Sequence, residues 1–323
     1  MRKIEYMTPI SIVIPVYNAE KTIGPLCRAL ISELSGDYRL DIVLVNDYSR
    51  DESDRICRTL CDEFPRTVTY LALSRNFGEH NAVLAGLNHT CGDYVVVMDD
   101  DFQNPPEEVP KLLTEIKKGY DVVYCQYATK SDSWYRNLGS YLNGTLARVT
   151  LDKPANLYLS SFRAMNRFLV DHLVVHRSPN VYLDALILRT TRNIGTVQVR
   201  HDVRREGRSG YTMKKLADLW GNVFVSYSLI PLRLLAAAGA VLTCLGIYSV
   251  CAMLVRGWLP MLNDPSDLEE LSSITMFFRG VQLLATGIVG EYVGRIYLKL
   301  NQEPQFIVRD KLLAKTVGER HGA

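Results

Sequence analysis

The sequence predicts an α/β domain built on a mostly parallel sheet, followed by a C-terminal two-helix transmembrane hairpin. Three observations carry this. Short β-branched apolar runs recur along residues 10–124, and a helix-patterned stretch separates each from the next. After residue 233 two long, almost charge-free stretches follow.

Residues 10–16, Ile-Ser-Ile-Val-Ile-Pro-Val, read as the opening strand, which Tyr17-Asn18 ends. A helix pattern covers 21–34. Residues 41–45 are a second buried strand closing on the cap-rich turn Asn46-Asp47-Tyr48-Ser49-Arg50-Asp51. Residues 53–64 repeat Ile56, Leu60 and Phe64 at helical spacing. Residues 68–73 form a third strand, then comes Ser74-Arg75-Asn76-Phe77-Gly78, then a helix over 79–89. Residues 95–98 are a fourth strand, with a helix to Lys118 and a fifth strand over 121–124. Right-handed crossovers put every strand-end turn on one edge of such a sheet. Asp47, the Arg75 loop and residues 99–103 are therefore expected to share one crevice.

Residues 95–106 carry the densest chemistry. Val95 to Met98 have the continuous apolar character of a buried parallel strand, and Asp99, Asp100 and Asp101 follow at once. On an extended chain Asp99 and Asp101 point one way and Asp100 the other, and Gln103 joins the first pair if the extension continues. Such hard oxygen donors suit Mg²⁺ or Mn²⁺ held together with a substrate diphosphate. Open α/β sheets bind ligands at the carboxyl ends of their strands, which favours this over a merely solvated acidic turn. Asp101, as a strand-end surface carboxylate, is expected to contribute little to stability.

Charge is nearly balanced over the 323 residues, with 37 Lys plus Arg against 35 Asp plus Glu, and nothing points to nucleic acid as a partner. The seven cysteines include no Cys-x-x-Cys pair, so neither a disulfide framework nor a zinc site is indicated. The first residues lack the apolar core of a secretory signal.

Residues 126–212 are less regular and rich in cations. A helix is expected over 134–149 and a strand over 195–203. The run Arg204-Arg205-Glu206-Gly207-Arg208-Ser209-Gly210-Tyr211 combines cations, glycines and a hydroxyl, as a phosphate-gripping loop would. Residues 214–227 fit an amphipathic helix on a membrane surface. Residues 234–255 hold no charge and as a helix would reach roughly 33 Å, enough for a bilayer core. A second apolar stretch, 274–296, is broken only by Arg279, Glu291 and Arg295. Lys214, Lys215 and Arg233 precede the first stretch, Arg295, Lys299, Arg309 and Lys311 close the second, and an acidic loop lies between. The basic flanks place both termini in the cytoplasm.

Five motifs in order, Ile-Pro-Val-Tyr-Asn (14–18), Asn-Asp-Tyr-Ser-Arg-Asp (46–51), Arg-Asn-Phe-Gly (75–78), Met-Asp-Asp-Asp-Phe-Gln-Asn-Pro-Pro-Glu (98–107) and Gly-Glu-Tyr-Val-Gly-Arg-Ile-Tyr (290–297), resemble those of the family-2 polyprenyl-phosphate glycosyltransferases. The resemblance covers nearly the whole chain and is nearest to the members with two C-terminal spans. It implies a GT-A-type, Rossmann-like nucleotide-sugar domain over 1–212, a membrane-surface helix over 213–232, two transmembrane helices within 233–298 and a cytoplasmic tail over 299–323. It further implies a multi-pass protein of the bacterial inner membrane, self-associating as a homo-oligomer, that moves a sugar from a nucleotide sugar, UDP-linked, to polyprenyl (undecaprenyl) phosphate with inversion.

By matching motifs, Pro15, Tyr17, Asp47, Asp99 and Asp100 would hold the nucleotide, while Asp99, Asp101 and Gln103 would hold Mg²⁺ or Mn²⁺. Arg136, Arg204, Arg208 and Ser209 would grip the lipid phosphate, with Asp99, Asp101, Arg136 and Arg204 serving the transfer itself. The sequence departs from the family at several of these places. Ala19 stands where Glu is usual, with Glu20 next to it; Asn46 replaces the first Asp of an Asp-Asp pair; Tyr127 stands where Arg is common; and Gly210 stands where Lys is common. Two alternatives remain at this point: a non-catalytic membrane scaffold with a degenerate nucleotide-sugar domain, and a processive polysaccharide synthase, whose Gln-x-x-Arg-Trp motif is missing.

Overall fold

The computed structural model describes residues 7–127, 157–176, 181–200 and 304–314, with scattered helical positions between 241 and 297. The chain divides into two compact units. The first comprises Met1–Met213 together with Gln302–Ala323, and the second is Lys214–Asn301.

The first unit is an eight-stranded sheet with strand order β7-β5-β6-β4-β1-β2-β3-β8 among the described residues. β1 (Thr8–Val16), β2 (Tyr38–Asn46), β3 (Val68–Leu73) and β4 (Tyr94–Val97) pair in parallel around β1. β5 (Val122–Tyr127) and β7 (Ile194–Val199) pair in parallel at one side. Two strands run against the rest. β6 (Arg163–Asn166) lies between β4 and β5, and β8 (Val308–Leu312) caps the far edge on β3. Helices α1 (Ile23–Leu34), α2 (Ser53–Glu63), α3 (Glu79–Leu87) and α4 (Val109–Ile116) form the crossovers. α5 (Arg167–Val174) and α6 (Leu183–Thr190) follow β6.

The expected α/β domain and its five leading strands are present, because runs such as Ile12-Val13-Ile14 and Val95-Val96-Val97 are buried on both faces of the sheet. β6 and β8 were not foreseen. β6 begins with Arg163, which is 2% exposed and paired with Asp184 of α6, to which the Tyr124 hydroxyl also donates. A strand of four residues opening on a buried cation has no apolar pattern to find. The expected helix over 134–149, the surface helix over 214–227 and the first apolar stretch, apart from single helical positions at 241 and 248, lie outside the described residues. In the second stretch most described positions from 275 to 297 are helical. Among the described residues no helix is long and apolar enough to cross a membrane.

α3 sits tightly on β1 and β2. A Cβ on Gly86 would lie 2.4 Å from Val13 Cγ1 and 3.0 Å from Val45 Cγ2, so glycine sets how closely the helix approaches. That approach matters because α3 begins at the Arg75–Gly78 loop, beside the carboxyl ends of both strands. Gly86→Ala should destabilise the first unit by about 1–3 kcal/mol through overpacking. Urea unfolding followed by far-ultraviolet circular dichroism would measure this, and unchanged stability would refute the tight contact.

Candidate active site

The site is built where β4, β1 and β2 end side by side. The parallel registers, Val13 opposite Val97 and Val16 opposite Asn46, bring the turn at Tyr17 between the turns at Asp47 and Asp99. Parallel strands have no hairpin to tie their ends, so the turns bind one another. The Tyr17 backbone N–H donates to Asp100 Oδ2 at 3.1 Å. The Asn18 N–H donates to Ser49 Oγ at 3.0 Å, and Asn18 Oδ1 accepts from the Arg50 N–H at 2.9 Å. The Ala19 N–H donates to Ser53 Oγ, and Glu20, beside it, accepts from the Glu52 N–H. Tyr17 and Tyr48 stand out from these turns, 48% and 47% exposed, as two aromatic faces on one edge.

Asp47 is 3% exposed, and its two carboxylate oxygens accept from the backbone N–H groups of Phe77 at 2.7 Å and Gly78 at 2.9 Å. Burial pushes its carboxyl above the usual range, and these two bonds pull it back. Its visible task is to latch the Arg75–Gly78 loop. The expectation that Asp47 and this loop share a crevice with residues 99–103 agrees with the strand order.

The acidic turn departs from simple alternation. β4 ends at Val97, and Phe102 has φ +62°, so the chain bends instead of extending to Gln103. Asp99 and Asp100 still diverge. Asp99 Oδ2 accepts from the Ser161 hydroxyl at 2.5 Å, while Asp100 reaches to Tyr17. The Ser161 contact follows from antiparallel pairing: Val97 faces Arg163, so two residues further along Asp99 meets Ser161. Asp101 is 6% exposed, and its Oδ1 accepts from the Gln103 N–H at 3.0 Å. It is not the surface carboxylate expected from sequence. Behind the turn, the Tyr127 hydroxyl donates to Asn104 Oδ1 and meets Ser160 Oγ, both at 3.1 Å. Ser161, Asn104 and Glu79 are site residues that the sequence did not reveal as such, and Tyr127, noted only as a departure from the family, packs beside them.

Burial, then Glu79 and to a smaller degree Asp101, raise the Asp99 carboxyl to about 7, against the opposing Ser161 hydrogen bond and Arg163 charge. Asp99, Asp101 and Glu79 thus stand in one neighbourhood, close enough for the other two to raise the Asp99 carboxyl. Among the described residues no three acidic, histidine or cysteine side chains converge at ligating distance. Gln103 enters the site through its backbone N–H. Arg136, Arg204, Arg208 and Ser209 lie outside the described residues.

A raised carboxyl pKa has a definite sign in stability. The folded protein holds a proton on Asp99 more tightly than the unfolded chain does, so between about pH 4 and 7 stability falls as pH rises. Asp99→Asn should therefore stabilise the protein in chelator at pH 8 by about 1–3 kcal/mol and have little effect at pH 4. Thermal melts at both pH values would check this, and equal shifts would refute the charge argument.

Residues 11–174 match the family described as "Glycosyl transferase family 2". The chain is 32% identical over 313 residues to the undecaprenyl-phosphate 4-deoxy-4-formamido-L-arabinose transferase of Enterobacter sp. (strain 638), covering 96% of this chain and 95% of that one. To the enzyme of the same name from Proteus mirabilis (strain HI4320) it is 30% identical, with the same coverage. Among solved structures, a mycobacterial protein aligns with a TM-score of 0.50 at 18% identity, covering 68% of this chain and 73% of that one, a likeness of fold alone. Family match, near-full-length relatives and strand-end site agree: the chain belongs to glycosyl transferase family 2, and is a glycosyltransferase with a GT-A-type, Rossmann-like α/β domain.

Proposed function

We propose that this glycosyltransferase moves a sugar from a nucleotide sugar, UDP-linked, to undecaprenyl or another polyprenyl phosphate, with inversion at the anomeric carbon. The observation that carries the reading is the pair of carboxylates Asp99 and Asp101 just past the end of β4, on the edge that also carries the exposed Tyr17 and Tyr48. The acceptor is supported by the relatives, which are named for undecaprenyl phosphate and match along almost the whole chain.

The donor set of the site fits a divalent metal: two carboxylates supply hard oxygens, and Mg²⁺ commonly takes one or two carboxylates plus substrate phosphates. Asp99 and Asp101 would hold it, and when bound it would act as a Lewis acid on the leaving diphosphate. The protein's own residues position this pair. Ser161 orients Asp99, the Gln103 N–H fixes Asp101, and Asp100 fastens the turn to β1. Tyr17 and Tyr48 offer faces against which a base can lie. The acceptor needs no strong general base, since a phosphate monoester has its second pKa near 6 and is already dianionic at neutral pH. Its oxygen forms the new bond to the anomeric carbon as the bond to the diphosphate oxygen breaks, and the electron pair leaves with the nucleoside diphosphate. Arg136, Arg204 and Arg208 are assigned to screening and aligning the lipid phosphate.

The second unit suits a lipid acceptor. Val289, Val293, Ile296 and Tyr297 occupy helical positions at i, i+4, i+7 and i+8, and all are exposed. An outward apolar face of this kind is disfavoured in water and satisfied by lipid. β8 adds a constraint. Residues on both sides of the second unit belong to one sheet-containing body, so any membrane crossings between them must be even in number.

Because Asp101 is buried and hydrogen-bonded, Asp101→Asn is the variant that removes charge while keeping shape. It should lower lipid-dependent nucleotide release by about a hundredfold or more, with little change in the melting temperature. The assay is purified protein with Mn²⁺, undecaprenyl phosphate and a panel of nucleotide sugars, and near-normal turnover would sink the metal assignment. For topology, a reporter after Ala323 should behave as cytoplasmic and one near Asp264 as periplasmic. Reporters on the same side would refute the hairpin.

A further inference from the structure

We infer that Asn46 is a positioning residue for the nucleotide-binding turn, and that its amide is required there by a hydrogen-bond chain that starts in the buried Asn46–Tyr70 contact and runs to the C-terminal strand. The inference rests on the nucleotide-sugar reading above.

The direction of every bond in the chain is fixed from its ends. The Ser49 backbone N–H can only donate, and it donates to Asn46 Oδ1 at 2.9 Å. This settles the amide orientation and leaves Asn46 Nδ2 to donate to Tyr70 Oη at 2.9 Å, in a buried contact. The single Tyr70 proton then goes to Asp54 Oδ1 at 2.5 Å. Burial alone would raise the Asp54 carboxyl, yet hydrogen bonds from Arg58 and Tyr70 hold it below its usual range, as an ionised acceptor. Arg58 donates onward to Asp310 Oδ2 at 2.8 Å, and its guanidinium lies 5.2 Å from the Tyr70 ring centre. Asp310 belongs to β8, so the chain starts at the end of β2 and ends on the far side of the second unit in sequence.

The Ser49-to-Asn46 bond closes a turn around Asp47 and Tyr48. Tyr48 has φ +62°, a left-handed conformation that a residue with a bulky side chain seldom adopts unless its surroundings impose it. The Asn46 bond is part of what imposes it, and the result is an aromatic ring half exposed at the donor edge. A carboxylate at position 46 could still accept from Ser49. It could not donate to Tyr70, whose one proton would then be contested by two carboxylates, leaving one of them buried against a lone pair. Asn46 is thus matched to Tyr70 and Asp54, and its departure from the acidic residue common at this place is no sign of a degenerate site.

The chain can be reversed by design. Asn46→Asp should raise the donor KM by about tenfold or more, without changing the KM for undecaprenyl phosphate, as loss of one buried hydrogen bond at the turn requires. Adding Asp54→Asn lets Tyr70 donate to the new carboxylate and accept from the new amide. That double variant should return the donor KM to within about threefold of the unaltered protein. Tyr70→Phe, which removes the middle of the chain, should weaken the donor as Asn46→Asp does. Kinetics with each substrate varied in turn, in detergent and with melting curves for every variant, supply the readouts. Should Asn46→Asp fail to fold, recovery of folding and donor KM in the double variant supports the inference. An unchanged donor KM in Asn46→Asp, equal loss for both substrates, or no recovery in the double variant overturns it. Absence of nucleotide-sugar turnover in the unaltered protein would instead overturn the functional reading beneath it.

Discussion

Parallel pairing of β1 between β2 and β4 is the constraint on which the site depends. Strands running the same way deliver their ends to one edge, but they cannot be closed by hairpins, so the backbone groups of each turn need partners from elsewhere. Here the turns supply one another. Asp100 takes the Tyr17 N–H, Ser49 takes that of Asn18, and Asp47 takes those of Phe77 and Gly78. Side chains that look like ligands in the sequence are therefore partly the fastenings that bring the ligand edge into being. Asp47 and Asp100 carry this double character most clearly.

Against that edge the acidic turn gathers several carboxylates. Asp99 is half-buried, near Glu79 and Asp101, and its carboxyl rises to about 7. Arg163 lies in the same interior but is committed to Asp184, so it eases the repulsion without cancelling it. A carboxyl held above its usual range lowers stability near neutral pH, the sign expected where carboxylates are gathered for a task other than folding.

The C-terminal strand links the two units through the covalent chain. β8 pairs with β3, the Ser74 N–H donates to the Ile307 carbonyl, and Arg58 reaches Asp310. The sheet is complete only after the polypeptide has passed through the second unit and come back. Residues 302–323 thus return to the first unit, and the strand among them reaches by way of Tyr70 to the same turn that carries Tyr48.

The sequence by itself determined the α/β class, the strands β1 to β5 and the position of the acidic turn. Each of these is written in local periodicity: a run such as Val95-Val96-Val97 suits a strand of a sheet covered on both faces, and its next residues emerge at the carboxyl edge. Four of the five family motifs, at 14–18, 46–51, 75–78 and 98–107, sit at those same strand ends. What the tertiary structure alone decided is which side chains meet. Ser161 stands 62 positions from Asp99, and Asp310 stands 252 positions from Arg58, and no local pattern announces either bond. β6 and β8 were illegible for the same reason, since Arg163-Ala-Met-Asn and Val-Arg-Asp-Lys-Leu owe their strand state to the neighbours they pair with and not to their own composition. The bend at Phe102 and the burial of Asp101 likewise arise from packing behind the turn, which an alternation argument cannot see once the strand has ended.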